Sequence, residues 1–209
     1  MANRRKIQQR RLKPTIHISC EGANTEEDYL KILKTTFPLD NYNIKIIGQN
    51  RNKSDPINIL KYHQEKVKKS GPNKNYYPHD IEVIILDREE NNNRITEQFN
   101  KLKKWQREGE NRILIVNSTC FEYWLLLHFV EKPKCSTTKR ILETLKNHLP
   151  KYNKSLKGIK FGREEILTAS ERARNKPSLY DIIQSGLCGS NMYDLVDLLI
   201  RLEEREKKN

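Results

Sequence analysis

The sequence predicts an α/β fold, a four-stranded parallel sheet with flanking helices and a helical C-terminal region. Four apolar runs bounded by polar residues, at 15–20, 43–48, 81–86 and 112–116, read as buried strands. The segments between them carry apolar residues at helical spacing. Strand starts recur roughly every thirty residues, the rhythm of right-handed βαβ crossovers and of a Rossmann-like sheet. From 119 onward the pattern is helical.

The elements follow in order. Pro14 precedes the first strand. Thr25 reads as a helix cap, with Glu26, Glu27 and Asp28 in the first turn, where acids meet the positive end of the helix dipole. This helix should reach about residue 36 and stop before Pro38. The second strand is Asn-Ile-Lys-Ile-Ile-Gly. Ser54-Asp55-Pro56 is a strong helix start, and Ile57, Leu60, His63 and Val67 share the following helix's apolar face. Gly71-Pro72-Asn73 opens a loop before the third strand. Asn91 to Asn93 lead into a helix with Ile95, Phe99, Leu102 and Trp105 on one side, ended by Gly109. The C-terminal half should form helices at 119–130, 136–148, 163–174 and 191–205. A loop at 150–162 sets a helical region, 151–209, off from an α/β domain, 15–150, with both parts packed as one body.

The chain has 209 residues and a formal net charge of +13. Residues 1–14 form a basic arm with Arg4, Arg5, Lys6, Arg10, Arg11 and Lys13 and no acid. Such an arm suits a polyanion, although a solvated tail without a partner has the same composition. Lys151, Lys154, Lys157 and Lys160 make a second basic stretch that could follow a phosphate backbone. No run approaches the ~20 apolar residues of a membrane span. The four cysteines lack Cys-x-x-Cys spacing, which points to a reducing cytoplasm and away from a zinc site or a disulfide framework. Neither a dinucleotide-binding glycine motif nor a P-loop is present.

The acids carry the chemical signal. Glu21 follows the first strand and Asp87-Arg88-Glu89-Glu90 the third. In open α/β sheets ligands bind beyond the carboxyl ends of the strands, so both clusters should meet at one edge. Asp87 and Glu89 are two apart and project to the same side of extended chain. Paired acids repel unless a cation neutralises them, and magnesium prefers such oxygen ligands. A hydrated divalent ion there could activate water for phosphodiester cleavage. The bland alternatives are an ordinary strand-to-helix loop at Glu21 and a favourable helix start at Glu89 and Glu90. Thr119-Cys120-Phe121-Glu122 fits a capping box, with Glu122 at the third helical position. The run that follows is apolar on all sides, so His128 reads as a hydrogen-bonded core residue rather than a catalyst.

In combination these stretches resemble the RloB family of prokaryotic proteins. The resemblance rests on Cys20-Glu21-Gly22 with Thr25-Glu26 and Tyr29, and on Leu86-Asp87-Arg88-Glu89-Glu90. It continues through Asn117-Ser118, Cys120-Phe121-Glu122 and Trp124 to Phe129, and ends with Ser190-Asn191 and Leu195-Val196. The family's usual proline before Cys-Phe-Glu is Thr119 here. RloB proteins are in turn similar to the Toprim fold of topoisomerases, primases and overcoming-lysogenisation-type nucleases. That fold places a glutamate after its first strand and Asp-x-Asp after a later one. Glu21 matches the former, and Asp87-x-Glu89 the latter with a longer last arm.

The resemblance implies a metal-dependent endonuclease, a hydrolase of anti-phage defence by abortive infection, often beside an ATPase partner. Glu21 is then base or metal ligand, and Asp87 and Glu89 are ligands for Mg2+, or Mn2+ in its place. Glu90 is a further ligand candidate, and Glu26 and Glu122 are additional ones. Arg4, Arg5, Arg10, Arg11, Lys151 and Lys154 would hold DNA or RNA, transfer RNA included. The expected setting is cytoplasmic, without a membrane. The alternative is a non-catalytic nucleic-acid-binding or regulatory subunit of an ATPase-containing complex. A primase-like nucleotidyl transferase ranks last, for want of a nucleotide cradle.

Overall fold

The computed structural model describes residues 13–22, 24–48, 55–69, 79–88, 93–134, 137–175 and 177–208. The elements begin β1 (Thr15–Cys20), α1 (Thr25–Thr36), β2 (Asn43–Ile47), α2 (Pro56–Lys68), β3 (Ile81–Asp87), α3 (Asn93–Arg107) and β4 (Arg112–Ser118). They continue with α4 (Phe121–Leu126), α5 (Thr138–His148), α6 (Arg163–Arg174), α7 (Leu179–Ser185), β5 (Gly189–Ser190) and α8 (Tyr193–Lys207). The four expected strands pair in parallel in the order β2-β1-β3-β4, and β5 closes the far edge antiparallel to β4.

Side-chain alternation along the strands divides the core into two layers. Ile16, Ile18 and Cys20 of β1, with Val83 and Ile85 of β3, face a large cluster that includes Tyr29, Trp124, Ile166 and Leu199. Ile84, Leu86, Leu114 and Val116 face the other way, onto Ile59, Phe99, Leu102, Trp105 and Ile182. Both faces are covered, as a parallel sheet requires. On the second face the polar positions of β1 are also buried. His63 of α2 bridges Ser19 Oγ at 2.8 Å and Glu82 at 3.1 Å, and Glu82 accepts from Arg112 Nε at 3.1 Å. Ser19, His63 and Glu82 are all nearly inaccessible, so this row ties α2 to the sheet and offers nothing to a substrate.

Several expectations need correction. Thr25 does not cap α1. The cap position is Asn24, which makes no side-chain cap bond, and Thr25 Oγ1 instead meets Tyr152 Oη at 3.0 Å. The helix expected at 119–130 is only Phe121–Leu126. The following residues turn with bonds three apart, His128 N to Leu125 O and Phe129 N to Leu126 O, which tighten and end it. Its cap position is Cys120, so the capping box of Thr119 and Glu122 does not form. The last helix starts at Tyr193 rather than 191, and neither α7 nor β5 was expected. Tyr152, Leu156 and Phe161 of the 150–162 segment lie in the same buried cluster as residues of β1 and α8. Cys20 and Cys120 are free and buried, whereas Cys188 is disulfide-bonded, contrary to the expectation of no disulfide. The loop expected at Gly71 lies outside the described residues.

The start of α2 is as the sequence predicts. Asp55 accepts from Ile57 N and Asn58 N, and Pro56 occupies the first turn. His128 is likewise a core residue, accepting from Tyr29 Oη at 3.0 Å.

Candidate active site

The parallel register fixes where the acids fall. β1 and β3 are neighbours, with Cys20 opposite Ile85. The pairing extends one step further through Glu21 N to Ile85 O at 3.2 Å. Glu21 and Asp87 therefore leave the same sheet edge side by side, and Glu21 Oε2 accepts from Asp87 N at 3.1 Å. Of the three acids expected to converge, these two are neighbours, with the Glu21 carboxylate bonded to the Asp87 backbone rather than to its side chain. Glu89 and Glu90 lie outside the described residues, as do Arg4, Arg5, Arg10 and Arg11.

Two further acids border the pair. The Glu26 carboxylate folds back over Gly22 so closely that a Cβ there would fall 1.8 Å from Glu26 Oε2. A side chain at position 22 would expel this carboxylate from the edge. Glu122, on the first turn of α4, is also buried. Its Oε1 accepts from Tyr152 Oη at 2.7 Å and from Lys154 Nζ at 2.5 Å. Tyr152 and Lys154 come from the 151–160 segment, anchored where Asp28 Oδ2 accepts from Ser155 Oγ and Leu156 N. Lys151 is exposed, and Lys154 has its charge turned inward onto Glu122.

Electrostatics separates these acids. Burial, then the charges of Glu26 and Glu21, push the Asp87 carboxyl well above the usual carboxylate range. Burial and the Glu122 charge also raise Glu26. Burial works to raise Glu122 too, but the hydrogen bonds from Lys154 and Tyr152 and the Lys154 charge outweigh it and hold it low. Buried and surrounded by these carboxylates, the Cys20 and Cys120 thiols are pushed up, so neither is a nucleophile at neutral pH.

The two oxygens of Asp87 are held from opposite sides. Oδ2 accepts from Phe121 N at 3.0 Å and Oδ1 from Asn117 Nδ2 at 3.3 Å. In the sequence Asn117 stands out only as part of a motif, and its one local signal is a polar residue at the end of the apolar run of β4.

Magnesium takes hard oxygen donors and keeps several waters, so one or two carboxylates suffice to bind it. Among the described residues no three His, Cys, Asp or Glu side chains gather as a ready cation cage. The pair Glu21 and Asp87, with Glu26 beside them, nonetheless fits such an ion. All are oxygen donors, and a divalent cation would relieve the repulsion that raises Asp87 and Glu26. Glu122 fits less well, because Lys154 already neutralises it.

That pairing is open to a test. Lys154→Met should lower stability at pH 7 by about 1 kcal/mol, the low end for a buried acceptor losing a charged partner, since the lysine head is solvent-screened. Glu122 has a depressed pKa, so its contribution holds above the ordinary value of 4.5 and is lost as pH falls through the folded value. Denaturant melts of variant and wild type should therefore converge in acid.

Fold and site together define an α/β protein with a row of carboxylates at the C-terminal edge of a parallel sheet. A family model described as RloB-like protein matches residues 16–199. The chain belongs to the RloB-like family. No curated protein and no solved structure matches it. Among the described residues no helix is long and apolar enough to cross a membrane.

Proposed function

We propose that the chain is a Mg2+-dependent nuclease of the Toprim type, a metal-dependent endonuclease acting in anti-phage defence. The observation that carries this reading is the meeting of Glu21 and Asp87 at one edge of adjacent parallel strands, with Glu26 alongside. A bound Mg2+ would activate water and stabilise the leaving oxygen of a phosphodiester. Asp87 would be its principal ligand. Glu21, fixed against the Asp87 backbone, would hold the ion or take the proton from water. Lys154 stands at the rim of the site, where a phosphate would approach, and the exposed Lys151 extends that basic edge. The arm residues Arg4, Arg5, Arg10 and Arg11 would add long-range attraction to DNA or RNA. An ATPase partner in the cytoplasm belongs to the same proposal.

The test incubates the full-length protein, alone and with its neighbouring ATPase where one is encoded, with duplex DNA, single-stranded DNA and transfer RNA. Each substrate is offered Mg2+, Mn2+ or EDTA. Cleavage that requires the metal is expected for at least one substrate. Salt-sensitive binding without cleavage in any combination, together with phage protection unaffected by Asp87→Ala, would establish a non-catalytic subunit instead.

A further inference from the structure

The edge carries a lateral row that the carboxylate reading leaves unexplained. In the sheet register Asp87 of β3 lies opposite Asn117 of β4, and Asn117 lies opposite Ser190 of β5. The side chains follow the same line. Met192 N donates to Ser190 Oγ at 3.2 Å. Ser190 Oγ donates to Asn117 Oδ1 at 2.7 Å. Asn117 Nδ2 donates to Asp87 Oδ1 at 3.3 Å. Asn117 is 0% exposed and Ser190 1% exposed, so water does not substitute for any link.

The direction of this row is determined by chemistry. The Asp87 carboxylate accepts only, so Asn117 turns its amide NH2 toward it and its carbonyl toward Ser190. The Ser190 hydroxyl must then donate to that carbonyl, while Oγ accepts from Met192 N, which as a backbone N–H can only donate. β5 is just two residues long and its pairing is confined to Asn117 and Ser118. Its place at the sheet edge serves this line of contacts.

We propose that Asn117 and Ser190 are positioning residues that hold Asp87 in one rotamer, as an acceptor, ready for a divalent cation. The inference rests on the metal-site reading above. Asp87 faces repulsion from Glu26 and Glu21, and an unrestrained carboxylate would rotate away from them. The row and Phe121 N hold it at the edge before any cation arrives. Partners that orient a ligand in this way typically contribute ~10–100-fold to metal affinity.

The experiment measures Mn2+ binding to the full-length protein by the electron paramagnetic resonance signal of free Mn2+, alongside thermal melts. Ser190→Ala and Asn117→Ala are each expected to weaken Mn2+ binding by ~10-fold or more. The double variant should be no weaker than Asn117→Ala alone, because Ser190 acts through Asn117. Ser170→Ala, a buried serine on α6 remote from the edge, should bind as wild type does. Folded Ser190→Ala protein with wild-type affinity would overturn the proposal, as would additive losses in the double variant. A purely structural row would lower the melting temperature without changing affinity. Asp87→Asn separates the two levels. If it binds Mn2+ as tightly as wild type, or wild type binds none, the metal-site reading itself fails. If Asp87→Asn loses binding while Ser190→Ala keeps it, only the positioning role fails.

Discussion

Asp87→Asn is expected to eliminate metal-dependent cleavage and, at the same time, to gain melting temperature relative to wild type as pH rises from acid to neutral. The first effect follows from removing the proposed principal ligand for the cation. Activity should fall by at least the ~10²–10⁴-fold that a positioned proton-transfer group alone supplies, since the metal's contribution is lost as well. Glu21→Ala should come close to it. The second effect follows from the electrostatics of the edge. The folded state raises the Asp87 pKa, so the folded protein binds that proton more tightly than the unfolded chain does. Asp87 therefore costs stability at pH 7, and asparagine removes that pH-dependent cost; its NH2 cannot accept, so one of the two bonds from Phe121 N and Asn117 Nδ2 is lost at every pH. As pH falls below the folded pKa the wild type recovers this stability progressively, and in full only below the ordinary value of 3.8, so the pH-dependent advantage of the variant should shrink steadily toward acid. Cleavage assays paired with melts from pH 8 down to pH 4 would test both effects. Full activity in Asp87→Asn would reject the nuclease mechanism, and a melting-temperature difference that stays constant from pH 8 to pH 4 would reject the repulsion argument.

The second large effect is acid destabilisation centred on His128. This ring is buried among Tyr29, Trp124, Phe129 and Phe161. Nδ1 donates to the carbonyls of Trp124 and Leu125, which leaves Nε2 to accept from Tyr29 Oη. Protonation would place a second N–H against the tyrosine hydroxyl and a charge in an apolar pocket. Burial first, and then the charge of Arg172, lower the pKa from 6.5 to about 4. A histidine with a lowered folded pKa leaves stability untouched above pH 6.5. Stability then declines as pH falls from 6.5 toward 4, by about 3 kcal/mol in all. His128→Gln keeps an acceptor for Tyr29 and cannot titrate, so it should flatten this slope in urea melts taken across that range. An unchanged slope in the variant would assign the acid sensitivity to other groups.

The sheet and the meeting of Glu21 with Asp87 were legible because both depend on local, periodic information. Apolar runs announce buried strands, the crossover rhythm makes them parallel, and a residue just past a strand end must lie at the sheet's carboxyl edge. The partners of the acids were not legible. Glu122 looked like a cap because its flanking residues suit one, while its true partners, Tyr152 and Lys154, come from a segment about thirty residues away and arrive only through tertiary packing. Thr25 suits a cap locally for the same reason, while its partner Tyr152 arrives only through tertiary packing. The helix α7 did carry a local signal. Ser178 and Asp181 form a reciprocal cap, and Gly186 ends the helix in the left-handed region. Seven residues are too few for periodicity to declare a helix. A two-residue strand such as β5 has no period at all, and so the Asn117–Ser190 row could not be foreseen.

The way the 151–160 segment closes on the edge bears on how the molecule is made. Thr25 meets Tyr152, and Asp28 meets Ser155, each across 127 residues of chain. The Asn117–Ser190 bond spans a further 73 residues toward the C-terminus. Synthesis delivers the N-terminal strands first, at about 5–20 residues per second, so β1 and β3 can emerge and pair well before Tyr152 or Ser190 leaves the ribosome. A nascent chain therefore carries its acids without the groups that orient and neutralise them. The complete edge comes into existence only once Ser190 and Met192 have emerged, long after β1 and β3.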